Sequence, residues 1–228
     1  MLRNWLVSAW LSSPLAGEPP AIDAVLAWEM SLRLGYKHAK KMGRWIPESE
    51  IQDVPIPLAR RTIGGYDILC ASDPIIPPLV IPEWTDHTAR RFESEKMALM
   101  ISPDLRKSVL TASGPYKSRF AAERIRTVPR VCWFVRGDKK EMNHLLKYVF
   151  AIGRHRAIGY GQVYKWSYDE VEDDHSISTL QRGKPVLMRA VPMPSAMDLN
   201  ACGYRQSYGG WRPPYWHPAL HREIAVPC

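Results

Sequence analysis

One stretch limits the folds open to this chain more than any other. It runs from the apolar segment Val131–Val135, through Asp138, to the glycine-framed segment Gly153–Gly161 and the aromatic segment Gln162–Tyr168. Val131–Val135 is apolar throughout and predicts a central strand. Asp138 predicts a helix N-cap, with Glu141 three residues on as its capping-box partner. Met142, Leu145, Leu146 and Val149 give the i, i+3, i+4, i+7 stripe of a helix that runs to Gly153. Tyr164, Trp166 and Tyr168 then share one side of a strand. The order strand, helix, glycine loop, strand is half of a β-α-β repeat.

The N-terminal part begins the same way. Trp5, Val7, Ala9 and Leu11 alternate within a strand over Leu2–Leu11. Residues Ser12–Pro20 read as a loop. A helix follows over Ala21–Leu34, with Ile22, Val25, Leu26, Met30 and Leu34 as its stripe and Gly35 as its stop. Two β-α-β halves predict an α+β, ferredoxin-like or RRM-like sandwich.

The rest of the chain is less regular. Prolines punctuate residues 46–103. Strands are expected at Ile56–Thr62 and Tyr66–Ala71, joined by a turn at Gly64-Gly65. Prolines rule out an interior strand or a helix over Pro74–Pro82. Residues 104–136 are basic, and Ser113-Gly114-Pro115 reads as a turn between two arms of a hairpin or extended loop. Lys37, Lys40, Lys41 and Arg44 form a second basic cluster, either a binding surface or a solvated face. Beyond Glu172 the pattern weakens. The tail Gly203–Trp216 carries little helix or strand propensity.

The net charge of +8 favours polyanionic partners, nucleic acid first. The cysteines Cys70, Cys132, Cys202 and Cys228 are too far apart for a zinc site and read as free thiols. No apolar stretch is long enough to span a membrane, and no signal peptide is read at the N-terminus. A cytoplasmic protein without cofactor or metal is expected.

Chemistry concentrates at Gly153, Arg154, His155, Arg156, Gly159, Tyr160 and Gly161. Glycines permit φ > 0 and close backbone approach to a phosphate, and the cations supply attraction. The segment is neither a Walker motif nor a Rossmann fingerprint. A tight connection with exposed arginines is the plainer alternative. His155 is the histidine placed to serve as the acid or base of a metal-independent ribonuclease, or as a phosphate ligand. Trp5, Trp28, Trp133 and Trp166 are expected in the core. Trp211, Tyr215 and Trp216 either stack on bases or pin the tail, and pinning is favoured.

The segment Gly153-Arg154-His155-Arg156-Ala157-Ile158-Gly159-Tyr160-Gly161, between helix and strand, resembles the C-terminal glycine-rich loop of the RAMP proteins of CRISPR systems. Ser12–Leu26 is similar to that superfamily's first loop and helix. Gly210–Trp216 and Ser113–Lys117 look most like the Csf-three family, the Cas-five-type subunit of type IV effector complexes. The resemblance implies a single RAMP domain over 1–228 with a thumb-like insertion, placed at 104–126, and an irregular C-terminal extension over 172–228. It further implies a non-catalytic subunit that holds the 5′ handle of a guide RNA and nucleates the complex for interference. Gly153–Gly161 would contact the handle, and Lys117, Arg119, Arg124 and Arg126 would guide it along the thumb. Implied partners are the guide RNA, the backbone-forming and large subunits, target DNA and a helicase. The enzymatic alternative is a RAMP endoribonuclease that processes guide precursor with His155.

Overall fold

The computed structural model describes residues 2–35, 40, 41, 44, 45, 51, 53–78, 83–90 and 119–228. In chain order, the first elements are β1 (Arg3–Leu11), β2 (Leu15–Ala16), α1 (Ile22–Leu34), β3 (Lys40–Lys41), β4 (Arg44–Trp45), β5 (Arg60–Ile63), β6 (Tyr66–Leu69) and β7 (Trp84–Arg90). Next come β8 (Arg119–Arg126), β9 (Arg130–Gly137), α2 (Lys139–Leu146), β10 (Val163–Glu170), β11 (Ser178–Gln181) and β12 (Lys184–Leu187). The chain closes with β13 (Val191–Pro192), α3 (Met193–Asp198), β14 (Tyr204–Gly210) and β15 (His221–Pro227). The architecture is α+β, with small antiparallel sheets throughout.

Strand β1 lies at the centre of the sheet β10-β1-β9, antiparallel to both neighbours. Its alternation works as the period of two requires. Trp5, Val7, Ala9 and Leu11 are buried and meet Trp133, Leu15, Ile22, Leu26, Leu145 and Leu146 in one hydrophobic cluster. Each fully buried Leu or Ile contributes roughly 1.5–3 kcal/mol. Apolar β9 comes last in the strand order of this sheet. Its outer edge is closed by single bridges from Leu58, Ala71 and Ile75, so it is buried all the same. The Gly64-Gly65 turn joins β5 to β6, and both glycines have positive φ, as a two-residue hairpin turn requires.

Helix α1 begins and ends where expected, with Gly35 in the left-handed conformation. Its stripe is narrower: Ile22 and Leu26 are buried, Val25 and Met30 pack on the core, and Leu34 is exposed. Trp28 projects from the other side of α1 and is 47% exposed, unlike the buried Trp5 and Trp133. The Asp138 carboxylate accepts from the backbone N–H groups of Lys140 and Glu141 and caps α2. Helix α2 stops at Leu146, well short of Gly153. Residues 149–152 instead run back along β10. Val163 donates to the Phe150 carbonyl at 2.8 Å, and Ile152 donates to that of Gly161 at 2.9 Å. A bulge between Trp10 and Leu11 skips Tyr164, which turns outward while Trp166 and Tyr168 pack on the core.

The C-terminal extension is not irregular. Strands β13-β15-β14 form a sheet over a second hydrophobic cluster that includes Ile63, Ile68, Ile177, Trp211 and Ile224. Strand β14 is an edge strand with mostly exposed side chains, so it shows no apolar alternation. Backbone pairing with β15 holds it in place. Trp211 and Tyr215 pin the tail, whereas Trp216 is half exposed. The expected turn Ser113–Pro115, most of the expected thumb, and Lys37 lie outside the described residues, as do the side chains of Lys40, Lys41 and Arg44. The described arm of the thumb is β8, which pairs with β7 along its length and with β2 at its end. All four cysteines are free. Among the described residues, no helix is long and apolar enough to cross a membrane.

Candidate nucleic-acid interface

The glycine segment is the closed end of a hairpin between 149–152 and β10. Ala151 bridges Gln162 at its neck. It docks on the first loop of the chain: Arg154 donates to the Ala16 carbonyl at 3.0 Å, and Gly161 to that of Pro14 at 2.8 Å. Gly17 in turn donates to the Arg124 carbonyl at 2.8 Å. Three distant stretches of sequence thus converge on one face.

Two of the glycines are needed here, Gly161 to close the hairpin and Gly153 to dock it. A Cβ on Gly161 would stand 1.9 Å from the Ile152 carbonyl oxygen, and one on Gly153 would stand 2.7 Å from Leu15 Cδ1. Both have positive φ. The docking also occupies the N–H groups of Arg154 and Gly161. Those of Ile158 and Gly159 close the short 3-10 turn Arg156–Ile158. These four amides therefore do not cradle a ligand.

Arg154 lies over Gly17, with its side chain 69% exposed. Its Nη1 is 3.2 Å from Oε1 of Glu123, whose side chain is only 13% exposed. His155 has φ 55, and its Nε2 stands 3.5 Å from the same carboxylate oxygen. The Tyr160 hydroxyl donates to Asp86 at 3.0 Å, and that bond raises the phenol pKa. Arg156 is exposed and, among the described residues, makes no ion pair. Its backbone carbonyl accepts a long 3.5 Å contact from Gln162.

The arginines of β8 divide into two kinds. Arg126 has a side chain that is 9% exposed, held by both oxygens of Glu18 and by Glu83. The bonds raise its already high pKa and hold the Glu18 carboxyl below the ordinary range. Its guanidinium is committed to the fold, which removes it from the set expected to meet RNA. Arg124 pairs with Glu83 at 2.6 Å but keeps a 59% exposed side chain. Arg119 has its backbone in β8, and its side chain lies outside the described residues, as does all of Lys117. The structure thus brings Arg154 and His155 together at Glu123, while Arg124 pairs with Glu83 and Arg156 lies at the groove beside α1. Sequence reading missed the carboxylates Glu123, Glu83 and Asp86 that organise them. Glu123 stood out only as an acid within a basic run.

A family profile described as CRISPR type IV associated protein Csf3 matches residues 83–227. The chain belongs to that family. The match to Csf3 starts at Glu83, the partner of Arg124 and Arg126, and takes in β7, β8, the whole glycine hairpin and the C-terminal sheet. Strand β1 and helix α1 precede the matched span. No curated protein matches the chain.

Proposed function

We propose that this Csf3-family chain is a non-catalytic RNA-binding subunit of a type IV CRISPR effector complex. It holds the 5′ handle of the guide RNA at the glycine hairpin and nucleates assembly with the backbone-forming and large subunits. The observation that carries this reading is the pinned hairpin: its backbone is fixed on Ala16 and Pro14 while Arg154 and Arg156 project outward. A preorganised pair of cations loses little freedom on meeting phosphates. The net charge of +8 supports the same class of partner. The sheet order β10-β1-β9, with α1 after β1 and α2 between β9 and β10, supports a ferredoxin-like RAMP core in one domain. In it, the segment bridged to β9 stands in the place of the fourth strand. Strands β7 and β8 form the base of the thumb.

His155 acts here as a phosphate ligand rather than as an acid or base. Ultraviolet crosslinking of the purified complex tests the reading. RNA adducts on peptides spanning Gly153–Gly161 are expected, and adducts confined to other parts of the chain would overturn it. Incubation of the chain with repeat RNA in the absence of metal tests the enzymatic alternative. Specific cleavage that disappears in His155→Ala would establish an endoribonuclease instead.

A further inference from the structure

A groove of about 520 Å³ runs from α1 to the glycine hairpin. Ala24, Val25 and Trp28 form one wall, and Tyr148, Phe150 and Ile152 the other. At one end it opens directly onto Gly153, Arg156 and Gln162 of the hairpin. Its aromatic rings are unusually open: Phe150 is 67% exposed, Tyr148 51% and Trp28 47%. Open rings at Tyr148 and Phe150 mark a surface suited to a partner.

Charge decides which partner. The Tyr148 ring lies beneath the Arg33 guanidinium at 4.9 Å and the Lys147 ammonium at 4.8 Å. Arg156 stands at the hairpin end, and among the described residues Glu29 is the single acid in the lining. Aromatic faces flanked by cations match a ligand that is a flat ring carried on an anionic backbone. We propose that this groove takes an unstacked nucleobase of the RNA strand whose phosphates lie at Arg154 and Arg156. The inference rests on the RNA-binding reading and adds to it a stacking platform on Phe150, beside the Tyr148 ring that Arg33 and Lys147 cover. Gln162 sits at the junction between base and phosphate, where its side-chain amide can meet a base edge.

Two probes and two variants test it. The probes are a short oligo(A) RNA and a ribose-phosphate strand of the same length without bases. Phe150→Ala removes an exposed ring and leaves the core intact; Arg156→Ala removes a cation. Base stacking on one aromatic is strong enough that Phe150→Ala should weaken oligo(A) binding roughly tenfold, with an unchanged salt dependence. Binding of the base-free strand should not change. Arg156→Ala should weaken both probes and reduce the salt dependence. Equal oligo(A) affinity in wild type and Phe150→Ala overturns the inference while leaving the RNA-binding reading in place. Loss of a protein neighbour of the complex in Phe150→Ala, with RNA affinity kept, gives the groove to a protein and also overturns it. Failure of the wild type to bind either probe removes the RNA-binding reading, and this inference with it.

Discussion

Asp86 on β7 and Glu123 on β8 sit directly opposite one another, and each is met by a side chain from the glycine hairpin. Like charges in cross-strand register destabilise a sheet unless they are compensated. Tyr160 compensates Asp86, and Arg154 with His155 compensates Glu123. The hairpin is thereby latched to the β7–β8 pair by the same cation that is proposed to meet RNA.

On the proposed function, Glu123 competes with phosphate for Arg154. Glu123→Gln should raise RNA affinity several-fold at low salt and steepen its salt dependence, because a neutralised cation is released. Binding titrations at several salt concentrations measure this. Weaker binding in Glu123→Gln would mean that the carboxylate positions Arg154 rather than competing for it.

The hairpin glycines should differ sharply in tolerance. A Cβ at Gly161 would collide with the Ile152 carbonyl, whereas one at Gly159 meets nothing within 4 Å. Gly159→Ala carries only the cost of its positive φ, about 1–3 kcal/mol. Gly161→Ala carries that cost and must also displace backbone. Urea unfolding should rank Gly161→Ala well below Gly159→Ala, and equal stabilities would show that the hairpin relaxes freely.

Arg189 and Asp23, 166 residues apart, form a buried ion pair at 3.2 Å. Arg189 also donates to the carbonyls of Leu69, Ala71 and Trp211, and Tyr215 donates to Asp23. The network ties α1 to β6 and to the tail. Arg189→Met should cost about 3–5 kcal/mol, because the Asp23 carboxylate stays buried without its cation. A loss in urea unfolding below about 1 kcal/mol would place this network outside the stability of the fold.

The same region sets the alkaline limit. Burial holds the Tyr215 phenol well above its ordinary pKa, and Asp23 adds to the shift. Burial likewise raises Tyr168, whose hydroxyl is enclosed. Both groups keep their protons in the folded chain at a pH where the unfolded chain releases them. Their contribution is full below the ordinary tyrosine pKa of about 10 and is lost as pH rises from there toward the folded values. Stability should fall above that point by up to ~1.4 kcal/mol per pH unit for each tyrosine. Tyr215→Phe should flatten the decline. Absorbance titration that ionises all 10 tyrosines before unfolding would contradict it.

Local signals in the sequence led to local structure. The alternation of Trp5, Val7, Ala9 and Leu11 placed β1, the Asp138 cap placed the start of α2, and Gly64-Gly65 placed a hairpin. Features set by distant partners left no such trace. The end of α2 depends on the pairing of 149–152 with β10, and the outward turn of Tyr164 depends on a bulge opposite Trp10. Strand β14 is an exposed edge whose order comes from β15. At the interface, the glycine hairpin was legible as a motif, but its reason was not. Gly153 serves the approach to Leu15, a contact between segments far apart in the chain, and Gly161 serves the close passage of the Ile152 carbonyl across the hairpin. The commitment of Arg126 to Glu18 and Glu83, and the latch at Glu123, likewise depend on long-range packing.

RNA binding through the hairpin cations is tested most directly by the salt dependence of guide-RNA binding in wild type and in Arg154→Ala/Arg156→Ala. Each phosphate contact on a single strand adds about 0.7 to the slope of log affinity against log salt. The double variant should therefore bind more weakly, with a slope shallower by about 0.7 from Arg156 and by a smaller amount from Arg154, which Glu123 partly neutralises. An unchanged affinity and an unchanged slope would contradict the assignment of the glycine hairpin as the RNA site.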